Sequence, residues 1–159
     1  CNKTTRCCYS LMKKLEAKDL RSIGLLKHYR IIRRWACKSY ELKDADLELL
    51  IYFDCIGLFT RKDYIDGVYT YSWDKNRWER LRREGWIEVW RNKNNTTQKY
   101  AIYKTSFKCG QLISRIYRML LGTEDLPTSI KRNKIMQGNS YSDKVMIKAI
   151  NLINQDKNR

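Results

Sequence analysis

The stretch Trp78-Glu79-Arg80-Leu81-Arg82-Arg83-Glu84-Gly85-Trp86-Ile87 decides the fold, because the hydrophobic periodicity changes within it. Up to Glu84 the spacing is helical, and over residues 73–84 the side chains of Trp78 and Leu81 share one face, which we expect to be buried. Gly85 is suited to end that helix. Beyond it, residues 86–90 and 100–103 are rich in aromatic and β-branched types, which favour strands. The sequence therefore predicts a helix, capped by Ser72, followed directly by a β-hairpin with a polar tip at 92–98.

Helical patterns flank this unit on both sides. Apolar residues recur at intervals of three and four, which is typical of helices that bury one face. Glycine or a small polar residue stands at several of the expected ends. In chain order the helices are expected from Ser22 through Leu25, Tyr29, Ile32 and Ala36; over 47–55, ending at Gly57; over 61–66, between Thr60 and Gly67; through Cys109, Ile113, Ile116 and Leu120 to Gly122; and over 142–154, with Val145, Ala149, Ile150 and Ile153 inward.

The order of these elements predicts a winged helix-turn-helix: mainly α, with a small β-hairpin wing and with long flanking helices for dimerisation. Residues 1–21 are expected to form a basic N-terminal tail or short helix, 22–122 the winged-helix domain with the first dimerisation helix, 123–140 a linker, and 141–159 a C-terminal dimerisation helix. A two-fold homodimer is expected because the terminal helices carry more apolar surface than one small domain needs. The residues concerned are Leu25, Tyr29 and Ile32 with Ile147, Ile150 and Ile153.

The chain is strongly basic, with 33 Lys and Arg against 17 Asp and Glu and a net charge of +16. Such a charge favours a polyanionic partner such as nucleic acid. The alternatives are an acidic membrane surface and an excess of charge without a binding role. The charge is also uneven, since residues 44–71 carry 2 basic against 6 acidic side chains and residues 72–104 carry 9 against 4. No apolar run is long enough to span a membrane and no signal peptide is visible, so a cytoplasmic protein without a membrane partner is expected.

The helix over 73–84 and the hairpin after it carry the candidate DNA-binding residues. Helical geometry puts polar side chains opposite Trp78, where Arg and Lys can pair with guanine edges and Asn with adenine. The hairpin cations are placed to contact the DNA backbone or minor groove. The alternative is an ordinary solvated charged face. The candidates are Lys75, Asn76, Arg80 and Arg83 on the helix, and Arg91, Lys93 and Lys99 on the hairpin.

Four aromatic residues of the hairpin region leave two interpretations open. Trp86, Trp90, Tyr100 and Tyr103 are suited to stack on the bases of a single strand. Aromatic side chains of a short sheet also commonly pack on the helices beneath it.

Two motifs resemble those of the MarR (multiple antibiotic resistance regulator) family. One is Arg80–Ile87, and the other is Tyr100-Ala101-Ile102-Tyr103-Lys104-Thr105 with Gly110. The similarity extends over about residues 22–121 and implies a homodimer that reads a pseudo-palindromic operator with paired recognition helices and wings. The chain departs from the family in the wing, where 92–98 replaces the usual Asp-x-Arg, and in the length of 123–140.

Little in the sequence suggests an enzyme, a metal site or a cofactor. His28 is the only histidine, and no Gly-rich phosphate loop or G-x-S-x-G elbow is present. The pairs Asp44/Asp46 and Asp63/Asp66 could bind a divalent metal as in a nuclease; the alternative is that Asp44 caps a helix and the other acids are solvated. The cluster Cys1/Cys7/Cys8 lacks zinc-ligand spacing, and we expect Cys37, Cys55 and Cys109 to be reduced rather than part of a disulfide scaffold.

Together these features predict a sequence-specific, duplex DNA-binding transcription regulator of the MarR-like type. Its Lys-, Asn- and Tyr-rich composition suggests an A·T-rich genome such as that of a phage. One alternative is a structural or architectural protein, a virion or nucleoprotein component that keeps a winged-helix fold and binds nucleic acid or protein without specificity. Another is an RNA-binding component of a large particle.

The charge predicts a steep salt dependence of binding. If several Lys and Arg side chains contact phosphates, the logarithm of the affinity for duplex DNA should fall with the logarithm of salt concentration, by roughly 0.9 per neutralised phosphate. Titrations at several salt concentrations measure this slope. Binding that stays flat between low and physiological salt would exclude nucleic acid as the main partner.

Overall fold

A computed structural model describes residues 16–71, 76–94 and 99–157. These residues form a mainly helical protein with a small three-stranded antiparallel sheet. The helices are α1 (Ala17–Ile23), α2 (Leu25–Tyr40), α3 (Asp44–Ile56), α4 (Arg61–Tyr71), α5 (Arg77–Arg83), α6 (Phe107–Leu120) and α7 (Tyr141–Lys157), with a short 3-10 helix at Lys134–Gln137. The strands are β1 (Leu58–Phe59), β2 (Ile87–Asn94) and β3 (Lys99–Thr105).

The sheet has the order β1-β3-β2, so the last strand in the chain lies in the middle. β1 pairs with β3 through Leu58 opposite Lys104 and Phe59 opposite Tyr103. The sequence did not predict β1, because two residues are too few to show an alternating pattern. β2 and β3 form the expected hairpin, which is interrupted by a β-bulge at Trp90.

An aromatic cluster joins the sheet to the helices. Phe53 of α3 stacks on Phe59 of β1 with their ring centroids 4.0 Å apart. The rings of Trp78 and Tyr103 pack edge to face, with their centroids 4.9 Å apart. Because the four side chains come from α3, β1, α5 and β3 and all are buried, the cluster fixes α5 against the sheet.

Most of the expected helices are present, with corrections at their ends and faces. α3 ends at Gly57 as predicted, where φ is +85°. α4 continues through Gly67 to Tyr71, so the prediction that Gly67 closes it is wrong. The expected inward position of Val145 is also wrong, since this side chain is 46% exposed. Ser72 and the first turn expected after it lie outside the described residues.

The segment between α6 and α7, expected to be a linker, packs into the core. Leu126, Asn133 and Ile135 are buried. The indole Nε1 of Trp35 in α2 donates to the carbonyl oxygen of Arg132 at 3.1 Å. The side chain of Asn154 in α7 donates to the carbonyl of Leu126 and accepts from its amide. The segment therefore holds α2 and α7 together.

The apolar residues on which the dimer prediction rests are largely used within the protomer. Ile32 and Ile150 are fully buried, and Ile153 is nearly so. Ile147 packs against the same core. Tyr29, another of these residues, lines an apolar groove of about 570 Å³ that is open at the surface between α2, α3 and α6. The homodimer stays a prediction.

A carboxylate at the start of α7 anchors that helix to α2. Lys38 Nζ donates to Asp143 Oδ1 at 2.9 Å, and Ser140 Oγ donates to Asp143 Oδ2 at 2.8 Å. The hydrogen bond from Lys38, and to a smaller extent that from Ser140, holds the pKa of Asp143 below its usual value. The carboxyl group lies directly against Gly138, where an added Cβ would overlap with Oδ2 and the rest of the Asp143 side chain. Only glycine leaves room for this arrangement.

We predict opposite effects of alanine at two glycines. Gly138→Ala should lower the free energy of unfolding by about 1–3 kcal/mol, because the new methyl group displaces Asp143 from Lys38 and Ser140. Gly110→Ala is the matched control: this glycine lies in α6 with open space around its Cβ position, so alanine should raise the free energy of unfolding by up to about 1 kcal/mol. Urea unfolding measures both. A Gly138→Ala variant as stable as the parent protein would contradict the assigned role.

Candidate nucleic-acid interface

The inner face of α5 is buried in the core. Trp78 and Leu81 are the inward residues that the sequence predicts, and both are almost completely inaccessible to solvent. Arg77 is buried beside them. With these side chains inward, the opposite side of α5 faces solvent next to the hairpin.

Asp46 of α3 is a buried carboxylate that contacts two arginines of α5. The Nε of Arg77 donates to Asp46 Oδ1 at 2.7 Å, and Nη2 of Arg80 donates to both carboxylate oxygens at 2.8 and 2.9 Å. Asp46 also accepts from the backbone N–H of Lys43 at 3.1 Å. Asp46 is only 2% exposed, and its hydrogen bonds to the arginines are short and charge-assisted. These bonds therefore fix α5 on α3.

This network corrects two expectations about the acidic residues. Asp46 is neither solvated nor next to a metal-ligand cluster; no group of three or more potential ligands occurs within the described ranges. The acid that caps α3 is Asp46 rather than Asp44, which lies in the first turn, 3.7 Å from Arg33. Asp63 accepts from the backbone N–H of Thr60 at 2.6 Å, so it caps the start of α4.

Arg80 does not take the outward position expected of a base-reading residue. Its guanidinium turns toward Asp46 and its side chain is 23% exposed. The other expected helix residues have different positions. Asn76 and Arg83 are exposed at the two ends of α5, whereas Lys75 lies outside the described residues. Of the four helix residues predicted to contact DNA, the structure therefore places two at the surface of α5.

Arg82 is an exposed cation of α5 that the sequence did not single out. Its guanidinium lies 5.4 Å from the centroid of the Tyr103 ring and 3.4 Å from Glu79. A cleft of about 320 Å³ between α5 and β2 is lined by Arg82, Arg83, Glu79, Ile87 and Val89. Arg82 follows Trp78 by four residues, so helical spacing alone places it near the buried face and gives no signal for an exposed cation.

The hairpin carries further cations on its exposed residues. Arg91 and Lys93 are exposed on β2, and Lys93 Nζ lies 5.9 Å from the centroid of the Tyr100 ring. The backbone of Lys99 pairs with Asn94, and its side chain is outside what the structure describes. Among the described residues, Arg83 and Arg91 have no ion-pair partner. These two charges are available to an external anion.

The four hairpin aromatic residues divide into two pairs. Trp86 and Tyr103 are buried, and Lys108 Nζ lies 3.9 Å from the Trp86 ring, which confirms packing for this pair. Trp90 and Tyr100 are 47% and 41% exposed.

Another cleft lies along α6, and its cations are already paired within the protein. It encloses about 780 Å³. Lys104 lies 3.1 Å from Glu88, while Arg115 and Arg118 both donate to Glu124 at 2.8 Å. Lys108 donates to the carbonyl of Glu84. Paired cations attract an anion less than free ones, so this cleft is a weaker candidate than the face of α5 and the hairpin.

The described cysteines form no disulfide with one another. Cys37, Cys55 and Cys109 are free thiols. Burial raises the pKa of both Cys37 and Cys109 to about 12, so these thiols stay protonated at neutral pH and are poor nucleophiles. Cys1, Cys7 and Cys8 lie outside the described residues. Within the described ranges no helix is long and apolar enough to cross a bilayer.

We predict that Asp46→Ala lowers the free energy of unfolding by about 3–5 kcal/mol, because it removes a buried carboxylate to which both Arg77 and Arg80 donate. Asp44→Ala is the control, since Asp44 is exposed and its long contact to Arg33 should contribute less than about 1 kcal/mol. Chemical unfolding of both variants compares the two contributions. Equal losses would show that the Asp46 network does not hold α5.

Comparison with known proteins identifies no relative. No protein-family model matches the chain, and no curated protein or solved structure matches it.

Proposed function

We propose that this protein is a winged-helix protein that binds duplex DNA through the exposed side of α5 and the β2–β3 hairpin. The observation that carries the proposal is the pairing of β1 with β3, the second strand of the hairpin. This pairing ties the α3-β1-α4-α5 segment to the hairpin in one sheet. A helix pair held next to a hairpin in this way is the plan of winged helix-turn-helix domains, in which the second helix enters the major groove.

The charge distribution supports this face as the contact surface. Arg83 at the end of α5 and Arg91 and Lys93 on β2 are exposed. Arg82, between α5 and the sheet, adds a fourth cation, although Glu79 offsets part of its charge. Such a group beside one helix and one hairpin suits the phosphates on both sides of a groove.

The proposed biological role is that of a transcription regulator. The motifs around Arg80–Ile87 and Tyr100–Gly110 resemble those of MarR-type regulators, which read operator DNA. Asn76 and Arg83 are the predicted helix candidates that are exposed, and their side chains are able to read adenine and guanine edges.

Single substitutions test whether this face reads sequence. After selection of a preferred site from random duplex DNA, Arg83→Ala should weaken binding to that site by about 1–3 kcal/mol and relax preference at one base position. Lys93→Ala should weaken all sequences about equally and reduce the salt slope by roughly one unit. The measurement is equilibrium binding to the selected and a scrambled duplex at stated salt concentrations.

Two exposed cations away from this face serve as matched controls: Arg30 on α2 and Lys148 on α7. Arg30→Ala and Lys148→Ala remove the same charges as the test variants and should leave the affinity nearly unchanged. If all four variants weaken binding alike, total charge rather than this face determines binding, and the proposed interface is wrong.

A second candidate is architectural binding without sequence preference, as in a virion or nucleoprotein component. The observation that favours it is the contact between Arg80 and Asp46, which withdraws one candidate from base recognition. In this case no duplex is enriched by selection, and Arg83→Ala weakens preferred and scrambled sites equally.

A further inference from the structure

The hairpin exposes two aromatic rings beside free cations. Trp90 is the extra residue of the β-bulge, since Val89 pairs with Tyr103 and Arg91 with Ile102. Bulges re-aim a side chain and leave one residue without a cross-strand partner. The other tryptophans with described side chains, Trp35, Trp78 and Trp86, are at most 2% exposed. Trp90 is therefore the one described indole that solvent reaches.

Strand register places the cations and the second ring together. Lys93 is directly opposite Tyr100, and Arg91 is directly opposite Ile102. Because residues two apart on a strand share a face, Arg91, Lys93, Ile102 and Tyr100 lie on one face of the hairpin. Tyr103 lies on the other face, where it packs on Trp78 of α5. The cationic face is thus turned away from the core.

We infer that the surface formed by Trp90, Arg91, Lys93 and Tyr100, which we name the wing surface, binds unpaired bases of a polynucleotide. This inference rests on the proposed function, and it adds that the preferred ligand is a duplex with an adjoining single strand. Aromatic rings that bases stack on, next to cations that contact the backbone, are the combination that single-strand-binding surfaces use. Duplex DNA alone does not offer free base faces to these rings, because its bases are stacked on one another.

The charges of the wing surface favour a polyanion over a protein or lipid-tail partner. Arg91 has no ion-pair partner among the described residues, and Lys93 contacts the face of Tyr100 instead of a carboxylate. Glu88 is an acidic residue of the same strand, β2, but it is already paired with Lys104. An aromatic surface with uncompensated cations gains both stacking and phosphate contacts from a single strand.

The test compares three probes: a blunt DNA duplex, the same duplex with a short single-stranded DNA extension, and the duplex with an RNA extension of the same sequence. Each extension is tested in two versions, one at each end of the duplex. The wild-type protein should bind an extended duplex about tenfold or more tightly than the blunt one, as stacking of one or two bases provides. Trp90→Ala and Tyr100→Ala should abolish this gain, which is measured for each variant as the ratio of its affinities for the extended and the blunt duplex.

Trp90→Phe is the matched control, since it keeps a ring of smaller area and should keep part of the gain. Indole fluorescence gives a second readout: the extended duplex should quench the wild-type emission more strongly than it quenches Trp90→Phe. If only one of the two extensions, DNA or RNA, increases the affinity, the result supports the inference and identifies the chemistry of the preferred strand.

Other outcomes overturn the inference, and they are distinguishable from failure of the proposed function. Equal affinity of the wild-type protein for blunt and extended duplexes overturns the single-strand role while duplex binding stands. Loss of blunt-duplex affinity in Trp90→Ala, in proportion to the loss on the extended probe, reassigns the rings to duplex binding and also overturns it. If no probe binds, the proposed function fails, and the wing surface fails with it.

Discussion

The position of α5 depends on one carboxylate, that of Asp46. It lies in the first turn of α3, accepts from the backbone N–H of Lys43 and is contacted by Arg77 and Arg80 of α5. A buried carboxylate with so many donors is stabilising only while all of them are present. It therefore ties the start of α3 to α5, and the aromatic cluster around Trp78 then determines how α5 meets the sheet. These contacts hold α5 and the hairpin in one fixed relation, which the proposed interface requires.

Ion pairs within the protein also determine which cations stay unpaired at its surface. Arg115 and Arg118 are paired with Glu124, Lys38 with Asp143, and Lys104 with Glu88, so many basic residues stabilise the fold. The cations left exposed next to α5 and on β2 include Arg83, Arg91 and Lys93. A net charge of +16 by itself indicates only a polyanionic partner. The pairing pattern adds a location, since it shows where positive charge is not neutralised.

Periodicity predicted the helices, the hairpin and the inward faces of Trp78 and Leu81, because each leaves a repeated pattern along the chain. It did not predict β1, whose two residues become a strand only by pairing with β3. It also placed Arg80 outward. A helical wheel shows the direction in which a side chain leaves its own helix, but it does not show that Asp46 of α3 lies close enough to accept from Arg80. The packing of 123–140 was missed for a related reason. Leu126 and Ile135 are single apolar residues without a period, and their burial depends on α2 and α7.

Lysine reactivity is the most direct test of the claim that α5 and the hairpin form the interface. Acylation of the free protein and of its complex with duplex DNA, followed by peptide mass mapping, compares Lys93 on β2 with Lys144 and Lys148 on α7, all of which are exposed. We expect DNA to protect Lys93 and to leave the two α7 lysines as reactive as in the free protein. Protection of Lys144 and Lys148 with unchanged reactivity of Lys93, in a sample shown to be DNA-bound, would contradict it.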